Sequence, residues 1–205
     1  MKDAKTFWDN YAPRYARSRI QNPENYQKKL EVSRSYLTAD SRVLEVGCGT
    51  GSTALEHAAH VGSILATDIS AEMIAIAEQK LRDSPFNNVE FQCGTLQSLS
   101  LQPQYYDAIL ALNVLHLLDD VPAALHTMHQ LLKPGGVLIS STALVGEAGW
   151  LARTLVRLLQ RINMAPYVSV MTADELISQL QQHGFHTQYE WFTEPSHVFL
   201  VSQKL

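Results

Sequence analysis

Val43-Leu44-Glu45-Val46-Gly47-Cys48-Gly49-Thr50-Gly51-Ser52 is the stretch on which the reading of this chain turns. An apolar run meets an acid, then three glycines at alternating positions, then a segment able to start a helix. A strand feeding a glycine turn and a helix builds nucleotide sites, because glycine reaches backbone angles closed to other residues and lets a ligand approach the main chain. Glu45 narrows the ligand. It stands two residues before the first glycine, where it would repel a diphosphate and suit a cationic ligand.

Outward from that turn, strand and helix alternate. Residues 6 to 37 read as amphipathic helix broken near Asn22-Pro23, with Phe7, Trp8, Tyr11 and Tyr15 along one face. Arg42–Val46 is a buried strand, and a helix follows from about Ser52 to Ala59. Ser63–Asp68 is a second strand, after which Ser70 caps a helix over Ala71–Arg82. Val89–Cys93 is a third strand. Tyr106–Leu112, apolar on both faces, is a fourth and suits the middle of a parallel sheet. Pro122–Leu132 is a helix that Lys133-Pro134-Gly135-Gly136 stops, and Val137–Ser141 is a fifth strand. Thr172-Ala173-Asp174-Glu175 fits a capping box opening a helix that ends at Gly184. Phe185–Phe192 and Val198–Ser202 close the chain as a hairpin antiparallel to the rest. The expected fold is α/β, a doubly wound, mostly parallel seven-stranded sheet. Residues 143 to 171 carry no strand signal and hold an amphipathic helix from about Gly149 to Asn163. They read as a helical cap inserted after the fifth strand, over the strand ends where open α/β sheets bind ligands.

The 205 residues fit one domain spanning 1–205, with 1–37 as N-terminal helices. An apolar content of 46% against 18% charged marks a globular chain, and a net charge of −4 gives no electrostatic footprint for nucleic acid. Two cysteines offer no disulfide framework and fit a reducing, cytoplasmic setting. The charged N-terminus has no apolar core of a signal peptide, and no apolar run reaches the roughly 18 residues of a membrane helix.

Three pieces of chemistry fall in order along this scaffold. The first is the glycine turn with Glu45. The second is Asp68, about 20 residues past the first glycine, where an acid can accept both hydroxyls of a ribose. The third is Gly94-Thr95-Leu96, whose backbone can meet an adenine edge.

With these residues in place the chain resembles the class I S-adenosylmethionine-dependent methyltransferases, in their small-molecule, quinone-methyltransferase-like branch. Val43–Gly51 is similar to the family's first motif and Thr67-Asp68-Ile69-Ser70 with Met73 to its second. Tyr106-Asp107-Ala108-Ile109 with Asn113, Leu115 and His116 resembles the fourth-strand motif. Leu132–Leu138 resembles the segment entering the fifth strand, and Phe7-Trp8-Asp9 with Tyr11, Ala12 and Tyr15 the lid helix. The resemblance implies a Rossmann-like methyltransferase fold and S-adenosylmethionine as cofactor. It also implies roles. Gly47, Cys48, Gly49 and Gly51 form the turn around the methionine portion, with Glu45 near its ammonium. Asp68 holds the ribose, and Ile69 and Met73 sandwich the adenine beside Gly94, Thr95 and Leu96. Asn113 and Leu115 follow the fourth strand, Asn113 offering a carbonyl near the ammonium. Tyr11 or Tyr15 closes the carboxylate side. Thr95 departs from the family, many of whose members carry an Asp there for the adenine amino group; the adenine contact is then left to backbone. Met73 and the N-terminal aromatics equally suit plain packing, and Cys48 is a small packing residue with no base beside it.

Methyl transfer from a sulfonium needs alignment and exclusion of water, and a base only where the acceptor must lose a proton. His116, just past the fourth strand, is the candidate base; the alternative is a histidine satisfied by backbone. The pairs His57/His60 and His126/His129 lack a third ligand, so no metal is expected. In the cap, Arg153, Arg157 and Arg161 form one stripe, while Trp150, Met164, Tyr167 and Met171 add apolar lining. Trp150 and Tyr167 are the candidate substrate contacts, for a small aromatic or apolar acceptor; an ordinary packed helix with solvated arginines explains the same pattern. The rival functions are a cofactor-binding module without catalysis, a nicotinamide-dependent oxidoreductase and a nucleic-acid methyltransferase. The second would show G-x-G-x-x-G without the acid, and the third a proline-bearing motif where Asn113-Val114-Leu115-His116 stands. The oligomeric state, the acceptor and the atom methylated stay open.

Overall fold

Seven strands in the order β3-β2-β1-β4-β5-β7-β6 form one sheet in the computed structural model, which describes residues 4–147 and 167–205. The strands are β1 (Arg42–Val46), β2 (Ser63–Asp68), β3 (Val89–Cys93), β4 (Tyr106–Leu112), β5 (Leu132–Ala143), β6 (Phe185–Glu194) and β7 (His197–Lys204). Among the described residues the α-helices are α1 (Ala4–Ala16), α2 (Pro23–Arg34), α3 (Ser52–Ala58), α4 (Ala71–Arg82), α5 (Val121–Leu131) and α6 (Ala173–Gln182). Among the described residues no helix is long and apolar enough to cross a membrane.

Local chemistry sets the helix starts. Asn22, Ser70, Asp120 and Thr172 each accept a backbone N–H three residues on, satisfying a donor that the first turn leaves unpaired. At Thr172 the capping box is complete, since the Glu175 carboxylate accepts the Thr172 N–H in return.

Successive residues of each strand enter opposite cores. Leu44, Ile109, Leu138 and Leu200 join Leu125, Met128, Leu176 and Leu180 of α5 and α6. Val43, Ala108, Leu110, Ile139 and Phe199 join Ala54, Ala58, Ile74 and Ala77 of α3 and α4. That alternation is the period of two in a pleated strand, and it makes the sheet doubly wound.

β1 pairs in parallel with β2 on one side and β4 on the other, so the chain reverses its direction of travel across the sheet at β1. Such a switch point opens a crevice at the carboxyl ends of the strands. Two expectations need correction. β7 is antiparallel to β5 as expected, but β6 is antiparallel to β7 and so runs with the first five strands. Inserting β7 between β5 and β6 reverses the direction once, for one strand. Residues 132–136 are not only a helix stop: Leu132 already pairs with Tyr106, with a register shift between Tyr106 and Ala108, and Gly135 at φ 75 lies in that irregular entry to β5. The expected helix over 149–163, with Trp150, Met164 and the arginine stripe, lies outside the described residues.

Candidate active site

The glycine turn leaves β1 and folds back against the end of β2. Cys48 N–H donates to the Thr67 carbonyl at 2.9 Å and Gly49 N–H to Asp68 Oδ2 at 2.9 Å. Gly47 sits at φ 69, and a Cβ there would lie 2.5 Å from Cγ2 of Val114; only glycine fits. Gly51, at φ 74, would press a Cβ onto the Phe91 ring at 2.5 Å, so it serves packing of the turn.

Two cavities flank this turn. The larger, about 930 Å3, runs from Gly47 and Gly49 past Asp68, Ile69 and Met73 to Gly94, Thr95 and Leu96, with His116 and Val168 on its far wall. The smaller, about 540 Å3, holds Tyr11, Glu45, Cys48 and Lys29, and is closed by Ser141 and His197. Trp8, Tyr15, Gly47, Leu112 and Asn113 line both, so the two meet at the ends of β1 and β4.

Glu45 is 3% exposed and its Oε2 has no hydrogen-bond partner among the described residues. Burial first, and the charge of Asp68 second, push its carboxyl up to about 8. A buried carboxylate oxygen without a donor is costly, and a cation in the smaller cavity would supply one. Asp68 takes Gly49 N–H on Oδ2 and Ser70 N–H on Oδ1, both at 2.9 Å. Burial raises its carboxyl, and those two amides work against the rise. Each oxygen keeps a lone pair for a further donor.

Lys29 is a residue that sequence reasoning missed. It reaches from α2 to the strand ends, where Nζ donates to Ser141 Oγ at 2.8 Å, and Ser141 Oγ donates to Asn113 Oδ1 at 3.2 Å. Burial lowers its ammonium from the ordinary value. A Lys28-Lys29 pair on a polar helix carries no signal for this. Asn113 adopts φ 60, a left-handed conformation uncommon outside glycine, held by its N–H bond to the Ser141 carbonyl at 2.7 Å.

His116 is 9% exposed and its Nδ1 accepts the backbone N–H of Ala143 at 3.3 Å. The neutral ring therefore carries its hydrogen on Nε2; this tautomer follows from the bond. Burial, then the nearby His197, press its pKa down to about 4. In this tautomer the ring offers a donor at Nε2, and the Nδ1 lone pair is taken. Leu115 is fully buried in the core, turned inward by the tight turn Leu115–Leu117, and lines neither cavity. Tyr167 is exposed, and its neighbour Val168 lines the larger cavity instead. Met73 is both 2% exposed and part of the cavity wall, so packing and lining coincide. Burial raises the Cys48 thiol well above its ordinary value, consistent with an inert packing role.

Comparison with known proteins bears on the family and the fold. Residues 43–136 match the family model of a methyltransferase domain. An uncharacterized methyltransferase YcgJ of Bacillus subtilis is 31% identical over 107 residues, covering 52% of this chain and 42% of the relative. A ubiquinone biosynthesis O-methyltransferase of Nitrosomonas europaea is 27% identical over 161 residues, covering 78% of this chain and 60% of the relative. The chain thus spans about half the length of the curated relatives it matches. Among solved structures, YcgJ aligns at TM-score 0.72 with 18% identity, over 87% of this chain and 98% of that one. A phosphoethanolamine N-methyltransferase 2 of Haemonchus contortus aligns at TM-score 0.80 with 14% identity, over 100% of this chain and 60% of that one. Likeness at such identities speaks for the fold.

Proposed function

Since this chain carries a class I, S-adenosylmethionine-dependent methyltransferase domain, we propose that it catalyses methyl transfer to a small acceptor that is aromatic or otherwise apolar. The observation that carries the reading is Glu45 Oε2, a buried carboxyl oxygen at the glycine turn with no partner among the described residues, which would ionise against the ammonium of the cofactor. The remaining residues fit the same group. Asp68 accepts the ribose hydroxyls on the lone pairs left by Gly49 and Ser70. Ile69, Met73 and Leu96 form the apolar slot for the base. Thr95 N–H donates to Ser98 Oγ and Thr95 Oγ1 accepts the Ser98 N–H, which ties Thr95 into its own turn and leaves the adenine edge to neighbouring backbone. Lys29, on the far wall of the smaller cavity, suits the methionine carboxylate, and Tyr11 and Tyr15 of α1 close over it.

When bound, S-adenosylmethionine supplies an electrophilic methyl carbon and a thioether leaving group. The chain's own task is then alignment and exclusion of water, and good alignment is worth roughly 7–11 kcal/mol of barrier. Asn113 stands where the two cavities meet, and its constrained backbone fixes that junction. His116 turns Nε2–H toward an acceptor oxygen and orients it, without removing its proton. Curated relatives include ubiquinone and demethylmenaquinone methyltransferases, which supports an aromatic ring as acceptor.

The test is formation of S-adenosylhomocysteine by the purified chain against a panel of catechols, quinols and carboxylated aromatics. Product that appears only when an acceptor is present supports the proposal. Tight cofactor binding with no product on any acceptor would identify a binding module instead.

A further inference from the structure

α1 rests on the body of the protein by polar contacts more than by core packing. Of its thirteen residues only Ala12 is buried, and Pro13 interrupts its backbone hydrogen bonding. Yet this helix places Trp8 and Tyr15 in both cavities and Tyr11 in the smaller one. Phe7, Trp8 and Tyr11 are only half-buried, so a polar seat adds to their packing.

Asp9 supplies that seat. Its Oδ1 accepts from Ser70 Oγ at 2.7 Å and from the Glu72 backbone N–H at 3.4 Å, and its Oδ2 pairs with Lys5 at 2.7 Å. The carboxylate therefore meets the N-terminal turn of α4, where the helix dipole favours an anion. Ser70, fully buried, is the junction. Its N–H donates to Asp68 Oδ1 at 2.9 Å, its Oγ accepts the Met73 N–H at 3.1 Å, and the same hydroxyl donates to Asp9. One side chain joins the covering helix, the start of α4 and the acid assigned to the ribose. Lys5, and then Ser70, hold the Asp9 carboxyl below its ordinary range, so it is anionic at neutral pH.

We infer that Asp9 is a positioning residue that latches α1 over the occupied cofactor cavity through Ser70, so that release of cofactor and of its demethylated product waits on the breaking of this contact. The inference rests on the proposed function for the identity of the ligand. It predicts that Asp9 acts on dissociation rate, because the residue touches no part of either cavity and works through Trp8, Tyr15 and the Ser70–Asp68 bond.

Stopped-flow dissociation of S-adenosylhomocysteine, followed by tryptophan fluorescence, tests it. Asp9→Ala should release the ligand at least about tenfold faster, about 1.4 kcal/mol. Asp9→Glu, which keeps the carboxylate, should restore much of the retention. Melting temperature should change little, since the side chain is outside the core. In the absence of ligand, trypsin should cut the Ala variant faster at Arg14 and Arg17, and Asp9→Glu should protect again. Unchanged release together with unchanged cleavage in Asp9→Ala would overturn the latch while leaving the methyltransferase reading intact. A wild-type chain that binds no S-adenosylhomocysteine would overturn that reading, and the latch with it.

Discussion

Glu45 and Asp68 leave adjacent parallel strands beneath one glycine turn, and the charge of Asp68 adds to burial in raising the Glu45 carboxyl to about 8. The folded chain therefore prefers Glu45 neutral, whereas the unfolded chain ionises it near its ordinary value of 4.5. A raised folded pKa gives stability that is present below the unfolded value and lost as pH rises through the folded one. His57 and His116 work the other way, because both are held down to about 4 and so favour folding increasingly as pH rises from there to 6.5. Between pH 6.5 and 8, Glu45 is the one of these three still changing. The ligand-free chain should lose roughly 2 kcal/mol over that window, at about 1.4 kcal/mol per unit. Denaturant titrations of the wild type and Glu45→Gln check this, and the variant should show no such slope.

Asp68→Ala should weaken S-adenosylmethionine binding by more than tenfold, about 1.4 kcal/mol. The substitution removes the acceptor for ribose and also frees the amides of Gly49 and Ser70 from their common partner. Equilibrium dialysis with labelled cofactor reads the loss. Equal affinity in the variant would take the ribose away from Asp68.

Gly47→Ala should abolish cofactor binding. The methyl group collides with Val114, and an alanine at φ 69 carries backbone strain of roughly 1–2 kcal/mol besides. Adding Val114→Gly, which removes the Cβ at 2.8 Å as well as Cγ2, opens the space and leaves the strain, so the double variant should recover binding in part. Full recovery would mean that the turn tolerates the left-handed strain, and no recovery that steric conflict was not the main effect.

His116→Asn should keep the fold and a substantial part of the turnover, because an amide oxygen can accept the Ala143 N–H that Nδ1 accepts now while the orienting donor at Nε2 is lost. His116→Leu should strand that N–H at a cost of roughly 1–3 kcal/mol in stability. Initial rates with the best acceptor of the panel, alongside melting curves, separate the cases. If His116 were the proton acceptor of the reaction, the Asn variant would lose the rate by roughly a hundredfold or more.

The elements written by local chemistry were legible in the sequence. Ser70 and Thr172 cap the helices they were expected to cap, and the glycine turn ends β1 where its spacing says. What stayed hidden depends on partners distant in the chain. Leu132 joins β5 because Tyr106 lies opposite, and β6 runs with the parallel strands because β7 enters between it and β5. Nothing in the sequence sets Lys29 apart from Lys28, and its reach to Ser141 depends on how α2 lies across the strand ends. Leu115 and His116 are neighbours with opposite fates, one in the core and one on the cavity wall, which the tight turn decides. The tautomer of His116 depends on a backbone amide 27 residues away.

Calorimetric titration of the chain with S-adenosylmethionine at pH 7, in phosphate and in Tris, tests the central claim most directly. A ligand ammonium beside Oε2 stabilises the ionised form of Glu45, so binding must expel the proton that a carboxyl with a pKa of about 8 still holds at that pH. The account predicts release of about one proton per ligand bound, tighter binding as pH rises from 6 to 8, and loss of both effects in Glu45→Gln. Binding whose heat is the same in the two buffers, or no binding at millimolar ligand, would contradict it.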